Sequence, residues 1–117
     1  MVEMTRDNST ELKKLIRISE VLRSSIHPNI PLALVHSFLI AAQHSNEGVN
    51  ELANRVGMSK STMSRHLLDL SERLRNGKPG YGLLKRNHDN PDLREVRYTV
   101  THKGSLVLSQ LQEIAAG

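Results

Sequence analysis

The feature that most constrains the fold is residues 49–75, VNELANRVGMSKSTMSRHLLDLSERLR, which has the pattern of two helices joined by a glycine turn. The first helix is expected to begin at Asn50 as its N-cap. Its apolar residues at helical spacing are Leu52, Ala53 and Val56. Gly57 follows, and glycine suits the position just past a helix end because a left-handed backbone costs it little. Ser59 is expected to cap the second helix.

The second helix of this pair is expected to run to Arg75 and to have two different faces. Its apolar stripe consists of Met63, Leu67, Leu70 and Leu74. The exposed face near its N-terminus carries short polar and cationic side chains, the types that reach phosphates and base edges in the major groove. The predicted DNA-contacting residues of this recognition helix are Ser59, Lys60, Ser61, Thr62, Ser64 and Arg65. His66 stands where a branched aliphatic residue is usual and is expected to be half exposed.

Charge is distributed unevenly along the chain. Its 117 residues predict one domain with a single modest core, built from aliphatic side chains because aromatic residues make up 3%. Residues 55–103 hold 11 Lys and Arg against 5 Asp and Glu, whereas residues 1–54 hold 5 against 6. The positive excess therefore coincides with the recognition helix and the segment after it. This asymmetry is expected of a domain that binds a polyanion with one face.

Several kinds of site are disfavoured by the composition. The chain has no cysteine, which excludes a disulfide, a thiolate zinc site and a thiol redox switch. His36 and His44 are too far apart to hold one metal ion without a third ligand between them, so no metal site is expected. No cluster of serine, histidine and acid and no glycine-rich phosphate loop can be assembled, and we expect neither an enzyme nor a cofactor. Without an apolar signal region or a long apolar run, we expect a cytoplasmic protein with no membrane segment.

The N-terminal part of the chain predicts a dimerisation helix. Residues 1–8 are expected to be frayed, and a helix is predicted over 9–26, with Asn8 as its N-cap and Glu11 completing a capping box. Its apolar residues cover roughly two thirds of the helical circumference, which is wider than one core requires. We therefore predict that its outer side contacts a second subunit. The predicted interface residues are Ile18 and Val21, together with Ile114 of the last helix. Leu15 is expected to face the core.

Beyond residue 75 the apolar period changes to that of strands. Two extended segments, 81–87 and 95–101, flank HDNPDLR, whose Asp, Asn and Pro residues favour a hairpin tip. A basic hairpin directly after a recognition helix is typical of a wing, here residues 81–101, that contacts the DNA backbone or the minor groove. Its predicted DNA-contacting residues are Lys85, Arg86, Arg94 and Arg97. A last helix is expected over 102–115.

Taken together, these patterns predict a single domain of residues 1–117 that is mainly α with a small β-hairpin wing. The expected order is α-α-(short β)-α-α-β-β-α, a winged helix-turn-helix. The second helix of this order begins in the turn at Pro31, whose missing N–H costs nothing there, and runs to about His44.

The chain resembles the MarR-like winged helix-turn-helix transcriptional regulators. The matching segments are LANRVGMSKSTMSRHLLDL, GLLKR and DNPDLREVRYTVTHKG, within roughly Ile30 to Leu111. Asp92-Leu93-Arg94 matches the Asp-x-Arg wing motif, and Thr101 with Gly104 matches the Thr-x-x-Gly that opens the next helix. The resemblance implies a homodimer that binds double-stranded DNA at an inverted repeat as a sequence-specific repressor, with Arg94 directed toward the minor groove.

Two departures from that family affect the expectations. Its members usually dimerise through two long C-terminal helices, whereas one short helix follows the wing here, so the N-terminal helix is expected to supply most of the interface. The family leaves room for a small-molecule effector, but three aromatic residues offer few stacking partners, and the sequence gives an effector no support. Two alternative functions stay open: a winged-helix module that binds protein, and a replication or recombination accessory protein of a mobile element.

Overall fold

A computed structural model of the chain describes residues 6–45, 47–72, 78–87 and 96–117. Its elements are α1 (Arg6–Ser25), α2 (Leu32–Gln43), α3 (Val49–Val56), α4 (Lys60–Leu70), β1 (Leu84–Asn87), β2 (Arg97–Val100) and α5 (His102–Ala116). The predicted fold class, mainly α with a β-hairpin wing, is confirmed. The short strand expected between α2 and α3 is wrong for the described residues 44, 45, 47 and 48. His44 and Ser45 form a turn and Gly48 is already the N-cap of α3, so little of the connection is left for a strand.

The chain falls into two compact units. One comprises the described residues up to Ile30 together with Leu106–Gly117, and the other comprises the described residues within Pro31–Ser105. The second unit contains the helix pair and the hairpin, and therefore all the predicted DNA-contacting residues that the structure describes. In the described part of the chain, no helix combines the length and the apolar character needed to cross a membrane.

In the first unit, α1 differs from the prediction in its start and in its exposed side. It is already helical at Arg6, so Asn8 lies inside the helix and not at its N-cap. A capping residue type tolerates a helical position and does not by itself mark the start. The strongly exposed apolar side chains are Leu12, Leu15 and Ile16, at 44%, 58% and 49%. Leu15 is therefore exposed, and the expectation that it faces the core is wrong.

The residues predicted to form the dimer interface are less exposed than that stripe. Ile18 and Val21 on α1 are half-buried, and Ile114 on α5 is buried. The exposed half of the wide apolar arc of α1 is thus the half with Leu12, Leu15 and Ile16, whereas the predicted interface of Ile18, Val21 and Ile114 stays a prediction. A helical wheel gives the width of an apolar arc and contains no information on which half packs inside the same chain.

In the second unit, α3 begins two residues earlier than predicted. Gly48 is its N-cap, in an extended conformation, and Asn50 is already inside the helix. Because glycine has no capping side chain, the cap is made from the other direction, with the Glu51 carboxylate accepting a hydrogen bond from the Gly48 N–H at 3.5 Å. Acidic Glu51 in the first turn also complements the positive end of the helix dipole.

The turn between α3 and α4 has the predicted geometry. Gly57 has a φ of 76°, in the left-handed region, and its N–H donates to the Ala53 carbonyl at 2.9 Å. Ser59 caps α4, since its Oγ accepts a hydrogen bond from the Thr62 N–H at 3.1 Å. Ala53 is almost completely buried, as expected of the small residue where the two helices cross. The sequence therefore specifies this turn locally.

The end of α4 is set by tertiary contacts rather than by its apolar stripe. The helix ends at Leu70, not at the predicted Arg75, and Ser71 is extended. The returning chain binds its last carbonyl groups: the N–H groups of residues 81, 82 and 83 donate to the carbonyls of residues 69, 71 and 70 at 3.1, 2.9 and 2.8 Å. A side chain at Gly80 would place its Cβ 2.2 Å from the Ser71 carbonyl oxygen, so only glycine fits this approach. Leu74 lies outside the described residues.

The two strands form an antiparallel hairpin. Leu84, Lys85, Arg86 and Asn87 pair with Val100, Thr99, Tyr98 and Arg97 respectively. Both strands are shorter than predicted, and the predicted tip within residues 88–95 lies outside the described residues. Thr101 joins the hairpin to α5, because its Oγ1 donates to the Gly82 carbonyl at 2.6 Å and accepts from the Gly104 N–H at 3.0 Å. Thr101 thus serves as the N-cap of α5.

Candidate nucleic-acid interface

The recognition helix α4 has the two faces that the sequence predicts. Its fully buried residues are Met63, Leu67 and Leu70. The exposed residues of its first half are Lys60, Ser61, Ser64 and Arg65. Their side chains project away from the apolar stripe because residues three and four apart share one face of a helix. The N-cap residue Ser59 is exposed as well, so five of the six predicted residues are accessible to a partner.

Ser59 and Thr62 form a network of hydroxyl groups at the start of the helix. Ser59 Oγ accepts from the Thr62 N–H, and Ser59 Oγ donates to Thr62 Oγ1 at 2.8 Å. Ser61 Oγ lies 3.2 Å from Ser59 Oγ, at the rim of this network. The hydroxyls of Ser59 and Thr62 thus stabilise the N-terminus of α4, and Thr62 is half-buried. For Ser59 this is the capping role that the sequence predicts, whereas the structural role of Thr62 was not predicted.

A cavity of about 210 Å³ brings the recognition helix and the wing together. It is lined by Gly48, Val49, Asn50, Glu51, Lys60, Ser64, Leu68, Arg86, Val96 and Tyr98. Lys60 and Arg86 supply two cationic groups from different elements, while Glu51 supplies one carboxylate. Predicted contact residues from α4 and β1 therefore border the same concavity. Glu51 and Tyr98 were not predicted, because only the three-dimensional register of hairpin and helices shows that they lie there.

The hairpin divides the predicted wing residues between its two faces. Arg86 pairs with Tyr98, and side chains of paired residues lie on the same face of a sheet. Lys85 and Arg97 lie on the other face, where Lys85 is exposed and Arg97 is half-buried. Arg94 lies outside the described residues. Of the predicted DNA-contacting residues of the wing that the structure describes, Arg86 is thus the one on the face that borders α4.

The Tyr98 phenol is a neutral group at the edge of this cavity. Tyr98 is buried, and burial raises its pKa above the ordinary value of 10.0, with nearby Arg86 acting in the opposite direction. Loss of solvation disfavours the phenolate more than the guanidinium stabilises it. Tyr98 therefore stays protonated around neutral pH and presents a hydroxyl that can donate or accept a hydrogen bond.

An ion pair holds the entry to α3. Arg55 Nε donates to Glu47 Oε2 at 2.6 Å, and Arg55 Nη2 donates to the other carboxylate oxygen, a bidentate arrangement. This hydrogen bonding holds the pKa of the Glu47 carboxyl below its usual value and raises that of Arg55. The pair joins the residue before the N-cap to the last turn of α3. Arg55 thus has a structural partner within its own unit.

His66 has a specific partner in α2. Its Nδ1 lies 3.0 Å from Oγ of Ser37, which is fully buried. The sequence singles out His66 as an exception to the aliphatic pattern and correctly predicts that it is half exposed. Its pairing with a serine 29 positions earlier cannot be predicted from one sequence.

Comparison with known proteins places this geometry in a known fold. Residues 39–73 match the IclR helix-turn-helix domain. No curated protein matches the sequence. Three solved structures of similar fold are a MarR transcriptional regulator from Methanosarcina mazei Go1, RV1404 from Mycobacterium tuberculosis, and Streptococcus pneumoniae FabT, solved in complex with DNA.

The likeness to these structures extends over nearly the whole chain. The M. mazei protein has 18% identity and a TM-score of 0.63, with 92% of this chain and 70% of that chain covered. RV1404 has 18% identity and a TM-score of 0.68, with 99% of this chain and 77% of that chain covered. FabT has 18% identity and a TM-score of 0.58, with 95% of this chain and 79% of that chain covered. At 18% identity the likeness to these structures shows the fold, and the sequence match is to a helix-turn-helix domain. The chain thus has the winged helix-turn-helix fold of the MarR-type regulators.

Proposed function

We propose that the chain binds double-stranded DNA sequence-specifically and regulates transcription. The observation that carries this proposal is the convergence of Lys60 and Ser64 of α4 with Arg86 of β1 around one concavity, beside the exposed Ser61 and Arg65. Cationic groups from two elements around an exposed helix face suit the backbone and the base edges of a duplex. The FabT structure, solved in complex with DNA, supports the same use of the fold.

In the proposed complex α4 enters the major groove. Ser61, Ser64 and Arg65 lie toward base edges, while Lys60 and Arg86 neutralise phosphates. The phosphate contacts release counterions, so the affinity for DNA falls as the salt concentration rises. Base contacts from α4 and phosphate contacts from the wing together give sequence preference and register.

We further propose that the protein is a cytoplasmic homodimer that acts as a repressor on an inverted repeat. An exposed stripe of Leu12, Leu15 and Ile16 on α1 supports a second subunit, because contiguous apolar surface of this kind marks interaction sites. A two-fold dimer would present two α4 helices to one side of the duplex. Its half-sites would then be about 10 bp apart, centre to centre.

Selection of duplexes from a random pool with the purified protein tests this function. The proposal requires enrichment of a defined sequence with two-fold symmetry, and an affinity for it that exceeds the affinity for a scrambled duplex by roughly 10³-fold or more. Enrichment of a single asymmetric half-site would contradict the dimer and retain DNA binding. Absence of any enrichment, with equal binding to all duplexes, would overturn sequence-specific regulation and favour the protein-binding alternative.

A further inference from the structure

The hydrogen bond between Ser37 and His66 joins α2 to the recognition helix. The two atoms, Ser37 Oγ and His66 Nδ1, are 3.0 Å apart. Ser37 is fully buried, and no buried side-chain nitrogen or oxygen among the described residues lacks a hydrogen-bond partner. Leaving a buried hydroxyl without a partner is costly, and the partner found for this serine is His66 on the facing helix.

His66 occupies one edge of the buried face of α4. At ~100° per residue, its side chain leaves the helix roughly 60° from Met63, whereas Leu67 and Leu70 lie closer to the centre of that face. On the other edge, Ser64 and Leu68 border the cavity of about 210 Å³. Apolar packing along the centre is non-directional, whereas a hydrogen bond requires a defined distance and angle. The hydrogen bond from Ser37 therefore fixes the rotation of α4 about its axis as well as its distance from α2.

The rotation of α4 determines where its contact residues project. Arg65 and Ser61 are exposed on the same helix, and Arg65 immediately precedes His66. A rotation of ~15° displaces a side-chain atom about 6 Å from the helix axis by roughly 1.5 Å. Hydrogen bonds to base edges tolerate only about 0.3 Å in length, so such a rotation would break them.

We infer that His66 is a positioning residue: through Ser37 it sets the rotation of α4, and thereby the sequence specificity of Arg65 and Ser61. This inference rests on the DNA-binding function proposed above. An aliphatic residue at position 66 would fill similar space but would remove the hydrogen bond between the two helices. An asparagine would retain the bond, because its amide occupies nearly the position of imidazole Nδ1.

The test compares Ser37→Ala and His66→Leu, which remove the bond, with His66→Asn, which retains it. For each variant, the dissociation constant is measured for the duplex selected by the wild type and for a scrambled duplex. We expect Ser37→Ala and His66→Leu each to lower the ratio of specific to non-specific affinity by roughly three- to tenfold. The affinity ratio of His66→Asn should stay within about twofold of the wild-type ratio. The double variant Ser37→Ala with His66→Leu should lower the ratio no further than either single substitution does.

Val35→Ala is the matched control for stability. Val35 is buried two positions before Ser37 on α2, and its truncation leaves the hydrogen bond in place. We expect this variant to lower the melting temperature by at least as much as Ser37→Ala, because it removes buried apolar surface, and to leave the affinity ratio unchanged.

The outcomes separate this inference from the function on which it rests. If the wild type selects no duplex, the proposed function fails. If the wild type selects a duplex but Ser37→Ala and His66→Leu retain its affinity ratio, only the positioning inference is overturned. An equal fall of the ratio in Val35→Ala, or in His66→Asn, would also overturn it, because specificity would then follow general stability or the imidazole itself.

Discussion

Arg86 of β1 lies directly across the hairpin from Tyr98 of β2, and both side chains line the cavity beside the recognition helix. The neighbouring Lys85 pairs with Thr99 on the opposite face. Two adjacent cations of the wing therefore point in different directions with respect to α4. A comparison of Arg86 with Lys85 therefore distinguishes a DNA contact beside α4 from a general effect of positive charge.

We predict that Arg86→Ala weakens binding to the selected duplex by about 1 to 3 kcal/mol. Lys85→Ala removes the same charge from the other face and should cost about 1 kcal/mol or less. Titration of a labelled duplex at one fixed salt concentration measures both. Equal losses of affinity for the two variants would show that Arg86 contributes only through the net charge of the protein.

Arg65→Ala is predicted to lower specific affinity by about 1 to 3 kcal/mol and to leave the melting temperature nearly unchanged. The side chain is exposed on the face opposite Met63 and Leu67, so its removal leaves the core intact. Affinity for a scrambled duplex should fall much less than affinity for the selected one. Lys13→Ala is the control, because it removes an exposed cation from α1. A variant that still binds the selected duplex as tightly as the wild type would remove Arg65 from the base-contacting set.

The parts of the fold that the sequence predicts correctly are those decided by neighbouring residues. Gly57 in the left-handed region and Ser59 as the cap of α4 follow from the local chemistry of a turn and a helix end. The buried stripe through Met63 and Leu67 follows from helical spacing. These features place the proposed contact face of α4 without reference to the rest of the chain.

The parts that were missed depend on segments far apart in the sequence. α4 ends at Leu70 because the backbone of residues 81–83 binds its last carbonyl groups, although the apolar period favoured continuation to Arg75. Arg86 is distinguished from Lys85 only by the strand register. Likewise, the exception at His66 is visible in the sequence, but its partner Ser37 is not. One sequence contains no direct signal for such pairings.

The ionisation of Tyr98 should make stability depend on alkaline pH. Burial raises its folded-state pKa above 10.0, so in the alkaline range the folded protein holds this proton more tightly than the unfolded chain does. Its contribution is therefore fully present below about pH 10 and is lost as the pH rises above that value. Urea unfolding between about pH 9 and 11 should show a steeper loss of stability for the wild type than for Tyr98→Phe. Parallel curves would contradict the raised pKa.

The exposed stripe on α1 gives the last prediction, which concerns the second subunit. Leu12→Glu combined with Leu15→Glu places two charges on side chains that are 44% and 58% exposed in the single chain. The fold should therefore survive, whereas an interface formed by this stripe should not, because a charge buried there without a partner is costly. We expect a folded monomer in sedimentation.

The control for this variant is Ile18→Glu, on the half-buried side of α1. It should lower the melting temperature of the chain itself, because the charge would then have to enter the chain's own apolar packing. The monomeric double variant should bind a full inverted repeat only about as tightly as it binds a single half-site, since the two recognition helices would no longer be linked. Sedimentation of the wild type as a monomer at micromolar concentration, or of the double variant as a dimer, would show that α1 does not form the interface through Leu12 and Leu15.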